Sequence, residues 1–449
     1  MSNKLKLLCL FSAGLLVSTP ALAVDLVGVH DMAVKSDPRL KAAEARREAT
    51  GENKNIARAN LLPQLGAGAN WNWGTNETKV PERDFPDSDL ETRNYGLDLR
   101  QSLYRQANYE SLDIARGQIS QADALYALAY QDFLLRVSER YFLVLTLTDG
   151  VIFAEAEEKA FQRQFEQAEQ RFEVGLTAVT DVHEARASYD NARARAIVAR
   201  NNLADAKQAL VELTGQYFEE YDALQEVLPL VEPDPINADE WVDIALQSNP
   251  SVLQSRAAVD VADANMRLAR SGHYPTLDLY ASYDKFKNSK YQYYDPISDT
   301  TFNTSLKAKD SRIGLILDIP IYEGGRVTAQ TRQARYLLDA TGQDLDDIQR
   351  GVVRQTQDSY RAVLAGIQEV QAFRQASISA ESALEATQAG FEVGTRTIVD
   401  VLIAEQRKYQ AQRDNSVARH AYIINHLRLK SVAGLLNAED LAIVNQLLE

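Results

Sequence analysis

From residue 107 to residue 171 the chain has no proline, and its only glycines are Gly117 and Gly150. Read as one helix, that run extends on the order of 100 Å at 1.5 Å per residue. No compact domain houses such an element as an ordinary unit, so it belongs to a coiled-coil-like array of long helices. A second proline-free run, from 326 through 367 and onward, reads the same way. Small residues recur along both, which lets antiparallel neighbours approach closely.

Each run stops at a nearly identical break. "FEVGLTAVTDV" covers 172–182 and "FEVGTRTIVDV" covers 391–401, 219 residues later. Glycine takes positive φ past a helix C-terminus without penalty. Gly175 and Gly394 are therefore predicted to reverse two helical hairpins at the same end of the molecule. The repetition reaches further. Pro38 matches Pro250 and Pro63 matches Pro275 at an offset of 212; Gly96 and Tyr104 match Gly314 and Tyr322 at 218. Tyr141, Asp181 and Gly215 match Tyr360, Asp400 and Gly434 at 219. The offset changes inside a polar stretch, where insertions are tolerated. The expected organisation is a tandem duplication: a first repeat over 24–215, a connector over 216–240, a second repeat over 241–434 and a C-terminal piece over 435–449.

Each repeat opens with a helix, about 28–60 and 239–270, followed by two strands. These are expected at 64–74 and 94–104, then at 275–286 and 311–322. Leu65, Ala67, Ala69, Trp71 and Trp73 alternate with Gly66, Gly68, Asn70, Asn72 and Gly74. Ile313, Leu315, Leu317, Ile319 and Ile321 form one apolar face of the last strand. About ten alternating residues suit a membrane β-strand, with apolar side chains to lipid and small or polar ones to a lumen. A sheet packed on one face in a soluble domain alternates equally well. Trp71, Trp73, Tyr104, Tyr283 and Tyr322 fit interface anchors or ordinary packing. The polar loops 75–93 and 287–310 lie at the far end from the glycine turns.

The first 23 residues read as a secretory leader: Lys4 and Lys6, an apolar core over 7–17, and Ala21-Leu22-Ala23 for cleavage. The one cysteine, Cys9, lies within it, so the mature chain has no thiol, and no lipid-bearing cysteine follows the leader. Net charge is −15, and −17 once Lys4 and Lys6 are removed. That acidity disfavours a nucleic-acid partner. No later stretch is apolar enough for a membrane helix.

"VGLTAVTDV" (174–182), "VGTRTIVDVL" (393–402), "DIPIYEGGR" (318–326) and "LLPQL" (61–65) together resemble the TolC family of outer-membrane efflux proteins over nearly the whole mature chain. The resemblance implies a mainly α fold with a membrane β-barrel. Long antiparallel hairpins form a trimeric periplasmic α-barrel, and four strands per chain contribute to a twelve-stranded outer-membrane barrel. The connector and the C-terminal piece form a belt. The implied partners are two further copies of the chain, outer-membrane lipid, a periplasmic adaptor docking at the tips, and an inner-membrane pump of the RND, ABC or MFS class. The implied function is an exit duct for efflux and type I secretion, with no cofactor.

Residue by residue, Gly175 and Gly394 correspond to adaptor-docking turns. Arg396, Thr180 and Asp181 correspond to links that hold the tips closed, and Asp400 to the narrow entrance. Phe391 departs from the family tyrosine whose hydroxyl joins that lock. Ile403 stands where relatives carry a second acid, and residues i and i+3 share a helix face. Without the resemblance, Asp400 is equally well a helix N-terminal acid, since Thr397-x-x-Asp400 spells a capping box.

Two other classes account for the sequence less well. An enzyme needs a convergent constellation, but His420 and His426 sit six apart and no nucleophile elbow, P-loop or H-E-x-x-H occurs. A trimeric coiled-coil surface protein explains the helices but not four alternating strands placed alike in both repeats.

Overall fold

The computed structural model describes residues 23–76, 79–80, 83–84, 88–295, 297–298 and 300–449. The leader lies outside the described residues except for Ala23, and so do parts of the polar loops 75–93 and 287–310.

The first expected helix is three: α1 (Leu26–Ser36), α2 (Pro38–Gly51) and α3 (Asn53–Ala59). Proline lacks the N–H that a continuous helix needs but suits a first turn. Pro38 accordingly starts α2, with the Asp37 carboxylate accepting the Arg39 N–H at 2.7 Å. Asp37 is 1% exposed, and its charge is met by Arg136. Next comes β1 (Gln64–Asn76), two short strands β2 (Lys79–Val80) and β3 (Arg83–Asp84) paired with each other, and β4 (Ser88–Tyr104). Then α4 (Gln106–Glu173) runs unbroken for 68 residues and returns as α5 (Val179–Thr214).

The second half repeats the order. Its opening helix is likewise broken at a proline, into α6 (Ala238–Ser248) and α7 (Pro250–Arg270). Asn249 takes the place of Asp37 and accepts from the Ser251 and Val252 N–H groups. β5 (Thr276–Asp295) and β6 (Thr300–Asp318) follow, then α8 (Arg326–Glu392) with 67 residues, α9 (Ile398–Val432), and finally α10 (Ala438–Asn445). The last strand stops at Asp318 rather than 322. Pro320 cannot donate to a ladder, and Gly324 and Gly325 turn the chain at φ +60° and +80°. Ile319 and Ile321 are thus outside the strand and exposed. The other strands outrun their expected ends, and the second hairpin stays paired to Asp295 and Thr300 past an irregularity near Asn288 and Tyr291.

The four long strands form one antiparallel sheet in the order β1-β4-β5-β6. Leu65 faces Leu99, Leu99 faces Ala281 and Ala281 faces Ile313, so one row is apolar across all four strands. The opposite face carries Gly66, Asp98, Ser282 and Arg312 in register. Glycines there make room for longer neighbours: a Cβ on Gly96 would lie 2.6 Å from Asp284 Oδ1, and one on Gly314 equally close to the Tyr280 ring. The apolar row is left bare, with Leu65 74% and Ile313 78% exposed. Both outer strands also keep an unpaired edge within the chain. Among the described residues no helix is long and apolar enough to cross a membrane.

The main core lies at mid-height. Phe133, Leu134, Val137, Tyr141, Phe142 and Val144 of α4 pack with Leu210, Val363, Leu427 and Leu441. The connector is tied there. Tyr141 donates to the Asp222 carbonyl at 2.9 Å, and its repeat counterpart Tyr360 donates to Ile236 at 2.8 Å. Ala223 and Glu449 exchange two backbone hydrogen bonds of 2.9 Å, joining the connector to the C-terminal piece.

Candidate functional site

At the ends farthest from the sheet, α4 and α8 terminate in the same way. The Gly175 N–H bonds the Phe172 carbonyl at 2.9 Å and the Leu176 N–H bonds Arg171 at 2.8 Å. The Gly394 N–H bonds Phe391 at 3.1 Å and the Thr395 N–H bonds Gly390 at 2.8 Å. This paired pattern is the Schellman cap, which needs a left-handed residue; φ is +77° at Gly175 and +82° at Gly394. A Cβ on either glycine would meet nothing within 4 Å. Glycine is required here by the backbone, and the space over each turn is open. Val174, Leu176 and Val393 around them are largely exposed.

Beneath the turns the two hairpins share a small core of Phe161, Ala168, Ala185, Ala192, Ile398 and Leu402, with Phe391 packed against it. The Arg171 guanidinium sits 4.8 Å from the centre of the Phe391 ring. Phe391 thus joins the hairpins through its ring face. Higher up, the fully buried Glu157 of α4 takes Arg195 of α5 at 2.9 Å and Arg413 of α9 at 3.2 Å. One carboxylate thereby clamps three helices.

Asp400 completes a capping box. Its Oδ2 accepts from the Thr397 N–H at 2.8 Å, and its own N–H donates to Thr397 Oγ1 at 3.2 Å. The Thr397 backbone N–H and hydroxyl, with Arg396 nearby, hold the Asp400 carboxyl below the usual carboxylate range. Oδ1 forms no hydrogen bond among the described residues. Ile403, one turn along, is 42% exposed and lines a groove of about 230 Å³ with Val399, Leu402 and Gln406, across from Glu184 and Ser188 of α5.

Thr180 and Asp181 lie in the first turn of α5, where Asp181 accepts from the Thr177 hydroxyl. Among the described residues no hydrogen bond or ion pair within the chain joins Arg396 to either of them. Instead the Arg396 stem crosses Gly390: a Cβ there would lie 2.8 Å from Arg396 Cγ.

A family model described as "Outer membrane efflux protein" matches residues 29–216 and 241–435. The chain belongs to the outer membrane efflux protein family. It is 38% identical over 443 residues to outer membrane protein TolC of Vibrio cholerae serotype O1, covering 98% of each chain. It is 31% identical to the alkaline protease secretion protein AprF of Pseudomonas aeruginosa, over 96% of this chain and 88% of that one. Its fold matches the crystal structure of the outer membrane protein VceC of Vibrio cholerae with a TM-score of 0.74 at 19% identity, over 91% of this chain and 96% of that chain.

Membership in this family places the protein in the outer membrane and assigns the bare row of the sheet to lipid. It also makes the helical hairpins staves of a periplasmic barrel. The sequence motifs located the tips but missed Gly390, Glu157 and Arg171. Gly390 sits one residue before the quoted motif. Glu157 is one acid among many until its burial is known. Among the described residues no cluster of histidine, cysteine and acids has the makings of a metal site. His420 is 4% exposed and shares a 2.8 Å hydrogen bond with the Thr146 hydroxyl, while His426 bonds the Val231 carbonyl.

Proposed function

We propose that three copies of this chain close into one duct, with the Gly175 and Gly394 turns as the docking end for a periplasmic adaptor and Asp400 as the charged ring of the entrance. The protein is an outer-membrane exit duct of the kind that serves efflux and type I secretion. The duct conducts material handed on by an inner-membrane pump of the RND, ABC or MFS class, and carries out no covalent chemistry. The observation that supports this most is the pair of matching Schellman turns at one end of a chain whose other end is a four-stranded sheet with two open edges. Open edges are not tolerated in lipid, and a barrel is their standard closure. Three four-stranded sheets supply twelve strands, enough for an aqueous lumen.

Arg396 has its stem seated on Gly390 and its head group without a salt bridge among the described residues. That leaves it available to reach Thr180 or Asp181 of the adjacent chain. The mature chain has no cysteine, so a single engineered thiol reports contacts cleanly. With Thr395→Cys and a short bifunctional reagent, an adaptor protein should be captured from cells. A thiol in the external loop 297–298 should capture none. Equal capture from both positions, or from neither in assembled protein, would remove the docking assignment.

A further inference from the structure

On the lipid-facing side of the sheet, above the apolar band, the alternation changes chemistry. The row Leu97–Tyr283–Ser311 is followed by Tyr95–Lys285–Lys309, and then by Trp71–Arg93–Lys287–Lys307. The registers run without a shift through these rows, so each set shares one face. Five cations thus lie on three neighbouring strands. The Glu91 carboxylate lies beside them and is bound to Arg93. Lys285, Lys307 and Lys309 are exposed, and among the described residues none of the four lysines forms a salt bridge. The Arg93 guanidinium lies 4.2 Å from the centre of the Trp71 ring, and Trp71 packs against Trp73 at 4.6 Å.

The intervening positions do the opposite. Asp284 and Asp310 face each other on the inner side, immediately beside Lys285 and Lys309. At these two rows the acids Asp284 and Asp310 point to the lumen, where Arg312 pairs with Asp310, while Lys285 and Lys309 point outward, in a chain whose net charge is −15. Rows two residues apart are separated by about 7 Å along a strand. With the tilt of a membrane barrel, the two cationic rows stand roughly 5 and 10 Å above the last apolar row. That is headgroup depth, marked also by the Trp71–Trp73 pair.

We infer that Arg93, Lys285, Lys287, Lys307 and Lys309 form a binding patch for phosphate-bearing lipid headgroups of the outer leaflet. The continuity of the patch with the lipid-facing apolar rows selects a lipid over a free anion. A soluble anion gains nothing from the adjoining Leu97 and Tyr283. The lysine stems lie along the apolar surface while their ammonium groups rise to the headgroups. This goes beyond the duct reading and needs only that the apolar face meets lipid.

The test uses the full protein, purified in a non-ionic detergent and titrated with diphosphorylated lipid A or with the same lipid after phosphatase treatment, retention being read by native mass spectrometry. The wild type should prefer the phosphorylated lipid, and the preference should fall steeply with salt. Lys285→Gln with Lys309→Gln should weaken that lipid roughly 30-fold, from the usual contribution of each cation near an anionic lipid surface. The matching Lys→Arg pair should keep it, and neither pair should alter the phosphatase-treated lipid. Equal binding of the two lipids by wild type would overturn the inference. So would a Gln pair that binds like wild type, or inorganic phosphate that displaces lipid at matching concentration. If the Gln pair does not assemble, the lipid preference and salt dependence of the wild type decide alone. The same spectra give the oligomeric mass, so a failed patch and a failed barrel are told apart.

Discussion

Asp400 carries a capping role that the structure shows and an entrance role that we propose. Oδ2 closes the capping box with Thr397, which leaves Oδ1 for the entrance role proposed above. A ring of carboxylates at a constriction favours cations, and in the proposed entrance a ring of Ile403 would add an apolar, poorly wetted step. Asp400→Ala should largely abolish cation selectivity and trivalent-cation block in planar bilayers. Ile403→Asp should strengthen block toward that of two-acid relatives. If Asp400→Ala changes neither, the residue is a cap and nothing more. His420 sets a second prediction. Burial, then the nearby Arg419 charge, press its pKa from 6.5 down to about 4. The unfolded imidazole therefore takes a proton first as pH falls. Stability should drop from pH 6.5 downward and level off near pH 4, by an amount on the order of 3 kcal/mol per chain. Denaturant melts of His420→Gln should be flatter than wild type across that window, and parallel curves would refute the assignment. Of these residues Asp400 was legible because its motif repeats. His420 was not, because nothing in the local text tells a buried histidine from a solvated one.

Four helix-ending glycines repeat across the two halves, and the structure separates them by what lies above. Gly175 and Gly394 face open space, whereas a Cβ on Gly434 would fall well inside contact with the Ser248 carbonyl. An L residue in the left-handed region costs about 1–2 kcal/mol. If the proposed docking holds, Gly394→Trp should therefore leave an assembled protein in the membrane yet abolish efflux, the turn being blocked to an adaptor. Gly434→Ala should lower thermal stability more than Gly394→Ala does, by a clash as well as by φ. Drug sensitivity and heat-induced dissociation of the two variants would check this, and reversed order would contradict it. Arg396→Ser should raise bilayer conductance several-fold if its head group latches an adjacent chain. Unchanged conductance in a folded trimer would place the latch elsewhere. Long helices, tips and strand faces were readable because period and glycine placement are local signals. The breaks at Asp37 and Asn249 were carried by Pro38 and Pro250, matched as a repeat but not read as boundaries. The early end of β6 was likewise written in Pro320. The Tyr141–Tyr360 match acquired its reason only in three dimensions, where each hydroxyl holds a stretch of the connector.

For the whole molecule, everything turns on closure. One chain supplies a sheet with bare apolar rows and two free edges, and two hairpins joined by a thin core near their tips. None of this is a finished surface in water or lipid. No composition statistic reveals it, because exposed apolar side chains along a strand look like core until the fold places them outside. Three chains would remove the edges and, on the proposed entrance, bring three copies of Asp400 to one mouth. The most direct test is single-channel recording from protein whose mass in detergent has been measured, with a trivalent cation added to either side. Expected is a trimeric mass, a cation-selective pore, and block from the helical side alone, lost in Asp400→Ala. A monomeric or dimeric mass, or block indifferent to side and to Asp400, would contradict a trimeric duct that narrows at these tips.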